Sequence, residues 1–237
     1  MNTTQINPKK LARTAGFLYF LLIPLGIFGI LYIPANFVVM NDAVATITNI
    51  NNDTFSFRLS IALAMLTQLV NIAVVLTLYK LLKVVDRNIA LLMVLFSILA
   101  MPIAMLNELN HIAVLLLLEG TQYLSAFTSQ QIEAMVMGFL ALHEHGIHIA
   151  GIFWGLWLFP MGLLVYKSNF IPKIIGVLLM IGCFGYIADF IFYLLFPTSG
   201  ILVSGYTFWG EIAILFWLLV KGVDVDVWNR VALGEGR

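Results

Sequence analysis

The residues His143-Glu144-His145-Gly146-Ile147-His148 open a segment that continues from Ile149 to Val165 without a charged side chain. An α-helix rises about 1.5 Å per residue, so about 20 mostly apolar residues cross the hydrocarbon core of a bilayer. The stretch therefore predicts a membrane-spanning helix with a cluster of ionisable side chains at one end. Ionisable residues are costly inside a membrane and often functional, so this cluster is the first place to look for a site.

The composition of the whole chain also indicates a membrane protein. Of its 237 residues, 62% are hydrophobic and 10% are charged, whereas soluble domains carry about 25% charged residues. The net charge is zero and no basic run occurs, which argues against a nucleic-acid partner. The single cysteine, Cys183, excludes an intrachain disulfide and a CxxC metal or redox motif.

Further apolar segments flank the opening stretch and predict an all-α integral membrane bundle of six transmembrane helices. We interpret residues 1–237 as a single membrane domain. The predicted spans are 11–33, 58–82, 89–118, 143–166, 174–196 and 201–220, with a short cytoplasmic tail at 221–237. Residues 34–57 are predicted to be a polar connection and residues 130–142 an amphipathic lead-in. Pro24 and Gly26 predict a kink in the first span, and Pro102 lies in the middle of the third.

The basic residues predict the orientation, because Lys and Arg concentrate in cytoplasmic loops. With six spans, eleven of the twelve basic residues fall on one side, and Arg58 falls on the other. Both termini are therefore predicted to be cytoplasmic, and the protein to be a multi-pass cell-membrane protein. Arg58 is predicted to pair with Asp189 or Glu108, because a lone charge near hydrocarbon is costly.

Several stretches of the chain resemble one bacterial membrane protein family, domain of unknown function 4386. They are ARTAGFLY at 12–19, ATITNI at 45–50, FWGL at 153–156, GLLVYKS at 162–168, IPKIIGVLL at 171–179 and GYIAD at 185–189. The resemblance covers about Leu11 to Pro197 and implies a multi-spanning bacterial membrane protein, with no activity attached. His143 lies where that family tends to carry a histidine, whereas His148 and Trp157 depart from its pattern.

Polar side chains recur at three- and four-residue spacing, on one face of each of several spans. A charged side chain facing lipid would cost a few kcal/mol. These faces are therefore predicted to point into the bundle and to line a polar cavity that opens to the extracytoplasmic side. The predicted cavity residues are Arg58, Gln68, Asn71, Asn107, Glu108, His111, His143, Glu144, His148, Asp189 and Glu211.

Two short motifs also suggest a metal site. Glu108 and His111, and likewise His145 and His148, lie three residues apart and so share a helix face, as ligands do in metal-binding bundles. Imidazole with carboxylate suits zinc or iron. The predicted ligands are Glu108, His111, His145, His148 and Asp189. A hydrogen-bonded network without metal fits the same residues.

Three functions remain open on the sequence alone. The leading interpretation is a membrane protein that binds a small molecule or lipid, in the manner of a transporter or sensor component. The second is a membrane-embedded metal-dependent hydrolase, in which Glu108 or Glu144 would act as base for a metal-bound water. The third is a structural subunit of a membrane complex. The chain contains no Walker loop, dinucleotide fingerprint or G-x-S-x-G motif.

Overall fold

The computed structural model describes residues 7–120 and 122–235, except for the side chain of Tyr123. Helices dominate these described residues and no strand occurs among them, which confirms the all-α class. The α-helices are α1 (Pro8–Gly26), α2 (Tyr32–Asn36), α3 (Ala43–Asn52), α4 (Thr54–Leu82), α5 (Arg87–Asn107), α6 (Leu109–Leu118), α7 (Ser129–Leu156), α8 (Leu158–Ser168), α9 (Lys173–Leu195), α10 (Ser204–Thr207), α11 (Trp209–Phe216) and α12 (Val225–Ala232).

Five helical segments of the described chain are long and apolar enough to cross a membrane, as in a multi-pass membrane protein. They are Pro8–Asn36, Thr54–Leu82, Arg87–Leu118, Ser129–Ser168 and Lys173–Leu195. They correspond to the first five predicted spans, and the predicted lead-in at 130–142 is part of continuous helix α7. Many of their leucine, isoleucine and phenylalanine side chains are exposed, as lipid-facing surfaces require.

The sixth predicted span is helical but interrupted. It consists of α10, α11 and a π-helix at Trp217–Lys221, with Phe208 between the two α-helices. This segment does not meet the length and composition of the other five. The structure therefore establishes five candidate spans, and the count of six is not confirmed.

The predicted kink near Pro24 coincides with a change of helix type. Pro24 lies inside α1, and the five residues Ile27–Leu31 that follow α1 form a π-helix. Proline supplies no backbone N–H and disturbs the regular i to i−4 pattern, and π-helical turns often mark functional positions. Residues of this π-helix line the pocket described below.

The polar connection predicted at 34–57 contains a helix that the sequence analysis did not anticipate, α3. Asp42 precedes this helix, and its side chain accepts a hydrogen bond from Ala45 N at 2.8 Å, which satisfies one of the free N–H groups of the first turn. Thr46 and Ile50 are buried on its inner face. The high Asn and Asp content obscured this single apolar face.

The predicted cytoplasmic tail likewise contains a helix, α12. Asp224 accepts a hydrogen bond from Val227 N at 3.0 Å and so caps its N-terminus. Trp228 is buried, and its Nε1 donates to Leu81 O at 3.0 Å. The tail is therefore a folded element that anchors against the end of α4.

The described residues divide into two compact units. The first draws on the ranges Met1–Leu21, Val70–Ala100 and Ala150–Arg237, and within it α9 packs against α8 and α11. The second comprises Leu22–Leu69 and Met101–Ile149. Its apolar core includes Phe57, Phe37 and Ile50, with the Phe37 and Phe57 rings edge-to-face at 5.4 Å. The interpretation of residues 1–237 as one domain stays a prediction.

Candidate functional site

The second unit contains a buried carboxylate between two imidazoles. Glu108 lies at the junction of α5 and α6, His111 one turn later on α6, and His143 on α7. Glu108 Oε2 is 2.9 Å from His111 Nδ1, and Glu108 Oε1 is 3.1 Å from His143 Nε2. An ionised carboxylate can only accept hydrogen bonds, so both of these imidazole nitrogens then donate.

The three side chains are enclosed by aromatic and apolar groups. Their residues are 2%, 2% and 5% exposed for Glu108, His111 and His143. The two imidazole rings stack with centroids 3.6 Å apart, and Phe57 meets His111 edge-on at 5.5 Å. The hydrogen bonds among these three buried polar side chains stabilise the cluster, because an unpaired buried charge is strongly destabilising.

Asn107 positions helix α7 beside this cluster. Its Nδ2 donates to the backbone oxygen of His143 at 2.8 Å, and its Oδ1 accepts from Asn110 Nδ2 at 3.0 Å. Gly146 makes this approach possible, since a Cβ atom at that position would collide with the Asn107 side chain. The backbone that carries His143 is therefore fixed by a hydrogen bond and a close helix contact.

A pocket of about 390 Å³ reaches the two histidines. Most of its wall is apolar, and the polar side chains that reach it come from Asn41, His111, His143 and Glu144. The apolar lining residues are Ile30, Leu31, Ile33, Pro34, Val38, Met40, Met137, Leu140, Ala141 and Ile147. The sequence predicted a polar cavity, but this pocket is largely apolar because α2, the π-helix and α7 turn mainly aliphatic side chains toward it.

The predicted partner of Arg58 is wrong. Arg58 does pair with a carboxylate, but the pair is with Glu119, whose Oε1 lies 2.6 Å from Arg58 Nη2. Both side chains are about half exposed, at 53% and 45%. Glu119 follows α6 directly, whereas Glu108 is already bonded to two histidines.

Three predicted cavity residues, Asn71, Asp189 and Glu211, belong to the first unit. The two acidic residues each have local hydrogen-bond partners. Asp189 accepts hydrogen bonds from the backbone N–H groups of Val203 and Ser204, and so holds the start of α10. Glu211 accepts from Tyr19 Oη at 2.9 Å and from Tyr186 Oη at 3.0 Å. Sequence reasoning missed both tyrosines, because aromatic residues in spans are common and Tyr19 is distant in sequence.

The remaining predicted residues lie outside the central cluster. Gln68 is buried, and its Oε1 has no hydrogen-bond partner among the described residues; the same holds for Asn71 Oδ1, while Asn71 Nδ2 lies 3.5 Å from Ser97 Oγ. His145 and His148 lie on α7 and have contacts of their own.

Among the described residues, one group of side chains has the chemistry and spacing to hold a metal ion. It consists of Glu108, His111 and His143, whose ligand atoms all lie within 4.8 Å of one another. The predicted ligand set stays a prediction, and this group differs from it in part. His143, assigned only to the cavity, joins Glu108 and His111, whereas His145, His148 and Asp189 are not members of this group. A three-residue spacing places two side chains on one face, but which face meets a neighbouring helix is a tertiary property.

Comparison with known families places this geometry in context. The model of the family described as Domain of unknown function (DUF4386) matches residues 14–222. The chain belongs to the DUF4386 family. The whole of the Glu108–His111–His143 cluster lies within the matched region, and so do all the residues that line the pocket.

A related protein comes from the archaeon Archaeoglobus fulgidus. This uncharacterized protein is 32% identical over 155 residues, which cover 65% of this DUF4386 chain and 78% of the relative. No solved structure matches the chain. The resemblance seen in the sequence is therefore confirmed at the level of the family, and the expectation of a bacterial membrane is not tested by this archaeal relative.

Proposed function

We propose that this DUF4386 protein binds a small amphiphilic molecule, such as a lipid or fatty acid, in the pocket of its second unit. The observation that carries the proposal is the combination of a largely apolar wall with two imidazoles and the Glu144 carboxylate at one pocket. Small-molecule sites typically measure about 300–1,000 Å³ and combine apolar walls with a few polar groups that orient the ligand.

The proposed binding mode follows from the distribution of polarity. The acyl or other apolar part would lie against aliphatic residues such as Ile33, Leu140 and Ile147, and the polar group would face His111 and His143. Apolar burial contributes about 25 cal/mol per Å², so the aliphatic wall would supply most of the affinity. The polar group would select which amphiphile binds.

The proposed orientation completes the functional model. We propose six membrane spans with both termini in the cytoplasm and the pocket accessible from the extracytoplasmic side of the cell membrane. The distribution of eleven of the twelve basic residues supports this arrangement. The helical segment Ser204–Lys221 would then serve as the sixth span despite its interruption at Phe208.

The test of binding uses a fluorescent fatty acid as probe and purified full-length protein in detergent. Ala141 lines the pocket, and Ala141→Trp should fill it and weaken probe binding at least 10-fold, about 1.4 kcal/mol. Ala134→Trp, two turns earlier on α7 and outside the lining, is the matched control and should bind as wild type does. Equal binding by wild type and Ala141→Trp would refute the proposed pocket.

A second function is favoured by one specific observation, the carboxylate and two imidazoles within ligand distance of one another. These could hold a metal ion for a hydrolase, with Glu144 on the pocket wall as base for a metal-bound water. Zinc-loaded protein would then cleave a lipid ester, and Glu144→Gln would abolish this activity while retaining the metal.

A further inference from the structure

We infer that Glu108, His111 and His143 form a binding site for a divalent transition metal ion of the zinc class. The three residues would supply one oxygen and two nitrogen ligands, and the fourth position would face the pocket. This inference does not depend on the binding of an amphiphile. It concerns the cluster itself, which the pocket proposal uses only as a polar surface.

The distances within the cluster are close to those that a tetrahedral ion requires. Zinc binds histidine nitrogen and carboxylate oxygen at about 2.0–2.2 Å, and two ligands of a tetrahedral ion then lie about 3.3–3.5 Å apart. Glu108 Oε2 is 2.9 Å from His111 Nδ1, and the other carboxylate oxygen, Oε1, is 3.1 Å from His143 Nε2. One carboxylate oxygen and the two imidazole nitrogens lie within 4.8 Å of one another, so an ion would draw these three atoms together by a small rearrangement of the side chains.

The charge of the cluster favours a cation. Glu108 is 2% exposed and bonded to two imidazoles. Arg58, the cation that the sequence suggested as its partner, is paired with Glu119. With both imidazoles neutral, the cluster carries one buried negative charge, which is costly in an apolar core. A divalent ion compensates this charge and uses both imidazoles in their neutral, ligand-competent form.

The pocket gives an ion access to the cluster, and neighbouring residues hold the ligands in place. His111 and His143 line the pocket, so an ion has a route to the cluster and a fourth ligand has room. Glu108 lies behind them. Asn107 fixes the backbone at His143, and Phe57 packs against the His111 ring. Ligands held in this way form a site at lower ordering cost, because their orientation is already restricted.

The competing explanation is a hydrogen-bonded network that stabilises the helix contact without any ion. Both explanations predict that truncation of the cluster lowers stability. They differ in whether the native protein retains one metal ion per chain through two imidazole nitrogens, and this difference defines the experiment.

The experiment uses full-length protein without a histidine tag, stripped with a chelator and titrated with zinc alone in detergent. We expect one zinc ion per chain by elemental analysis after gel filtration. X-ray absorption should show two imidazole ligands with zinc–nitrogen distances of about 2.0–2.1 Å. Absence of stoichiometric zinc in the folded wild-type protein would overturn the inference.

Variants identify the ligands. Glu108→Gln and His143→Asn should each weaken zinc binding by more than about 10–100-fold, the loss typical of even an outer-shell partner. Glu133→Gln, on the same helix as His143 but outside the cluster, is the matched control and should retain the ion. Circular dichroism and gel filtration verify folding of each variant before its affinity is read.

Two outcomes of the variant series would also overturn the inference. Retention of zinc at wild-type affinity by both Glu108→Gln and His143→Asn would mean that the ion lies elsewhere. Loss of zinc in His145→Ala with retention in His143→Asn would favour the ligand set suggested by the sequence. The Glu108→Gln variant separates the two proposals, because Glu108 does not line the pocket and its loss should remove the zinc ion while the fatty acid still binds.

Discussion

At the residue scale, the contact between Asn107 and Gly146 determines where His143 lies. Asn107 donates to the backbone of His143, and the absence of a side chain at Gly146 leaves the space that Asn107 occupies. The two residues stand 39 positions apart in the sequence, on α5 and α7. The close approach of these helices is therefore a precondition for the Glu108–His143 hydrogen bond.

This contact makes a prediction for Gly146→Ala. The new methyl group would displace the Asn107 side chain and break its buried hydrogen bond, so we expect a loss of about 1–3 kcal/mol in the free energy of unfolding. Denaturation of the purified protein with SDS measures this loss. The variant should also bind the fatty-acid probe more weakly, because His143 would shift at the pocket wall.

Helix α7 provides its own control. Gly138 lies on the same helix, and beyond its own local backbone no atom comes within 4 Å of the position its Cβ would occupy. Gly138→Ala should therefore be neutral or stabilising by up to about 1 kcal/mol. Adding Asn107→Ala to Gly146→Ala should recover part of the loss, since the collision then disappears. A loss in the double variant equal to the sum of the two single losses would show that the residues do not interact.

At the scale of elements, the functional groups lie at interruptions of the helices. Glu108 lies where α5 gives way to α6, and its N–H bonds to Met105 O in the tighter i to i−3 pattern at 3.3 Å. The π-helix Ile27–Leu31 borders the pocket in the same unit. Such interruptions redirect side chains from one helix face to another, which regular spacing does not predict.

The second element-scale feature is the junction between α12 and the end of α4. The last carbonyl groups of a helix have no partner within it, and Trp228 Nε1 supplies one for Leu81 at 3.0 Å. Trp228→Phe should keep most of the apolar packing but leave this carbonyl unpaired. We expect a cost of about 1–3 kcal/mol in the free energy of unfolding, measured by the same SDS titration.

Exposed Asn229 on α12 serves as the matched control. Asn229→Ala leaves the tryptophan and the helix cap in place, so its effect should stay within about 0.5 kcal/mol. If Trp228→Phe proves as mild as Asn229→Ala, the anchoring role that we assign to α12 is wrong.

At the scale of the whole molecule, the exposed apolar surface of the five long helices requires a lipid environment. Side chains such as Phe17, Leu69, Leu95 and Phe184 are more than half exposed. Contiguous apolar surface of this extent is rare on soluble monomers. The orientation in the bilayer then depends on the basic residues, which lie mainly at one end of each predicted span.

Reporter fusions test this orientation. A cytoplasmic reporter joined after the C-terminal helix α12 should be active, and the same reporter inserted at Gln122–Ala126 should be inactive. An odd number of predicted spans separates these two points, so they should lie on opposite sides of the membrane. If the two fusions are both active or both inactive, the two points lie on the same side of the membrane and the six-span arrangement is wrong. Five spans would then remain, and the interrupted segment after α9 would not cross the membrane.

The sequence by itself determined the helical class, the membership of the DUF4386 family and five of the long apolar helices, because hydrophobic length is a local property of the chain. It also singled out Glu108 and His111, since a Glu-x-x-His spacing brings two side chains together within one helix. Helices α3 and α12 escaped prediction, because their caps and single buried faces lie in segments of polar composition.

Only the tertiary structure decided which distant residues meet. It selected His143 in place of His145 and His148 as the partner of Glu108, and Glu119 as the partner of Arg58. It likewise brought Tyr19 and Tyr186 to Glu211. Neighbouring positions on a helix differ by about 100° in direction, so a small rotation or interruption changes which side chain faces the next helix. That rotation depends on packing between helices, through contacts such as Asn107 with Gly146, which no local pattern encodes.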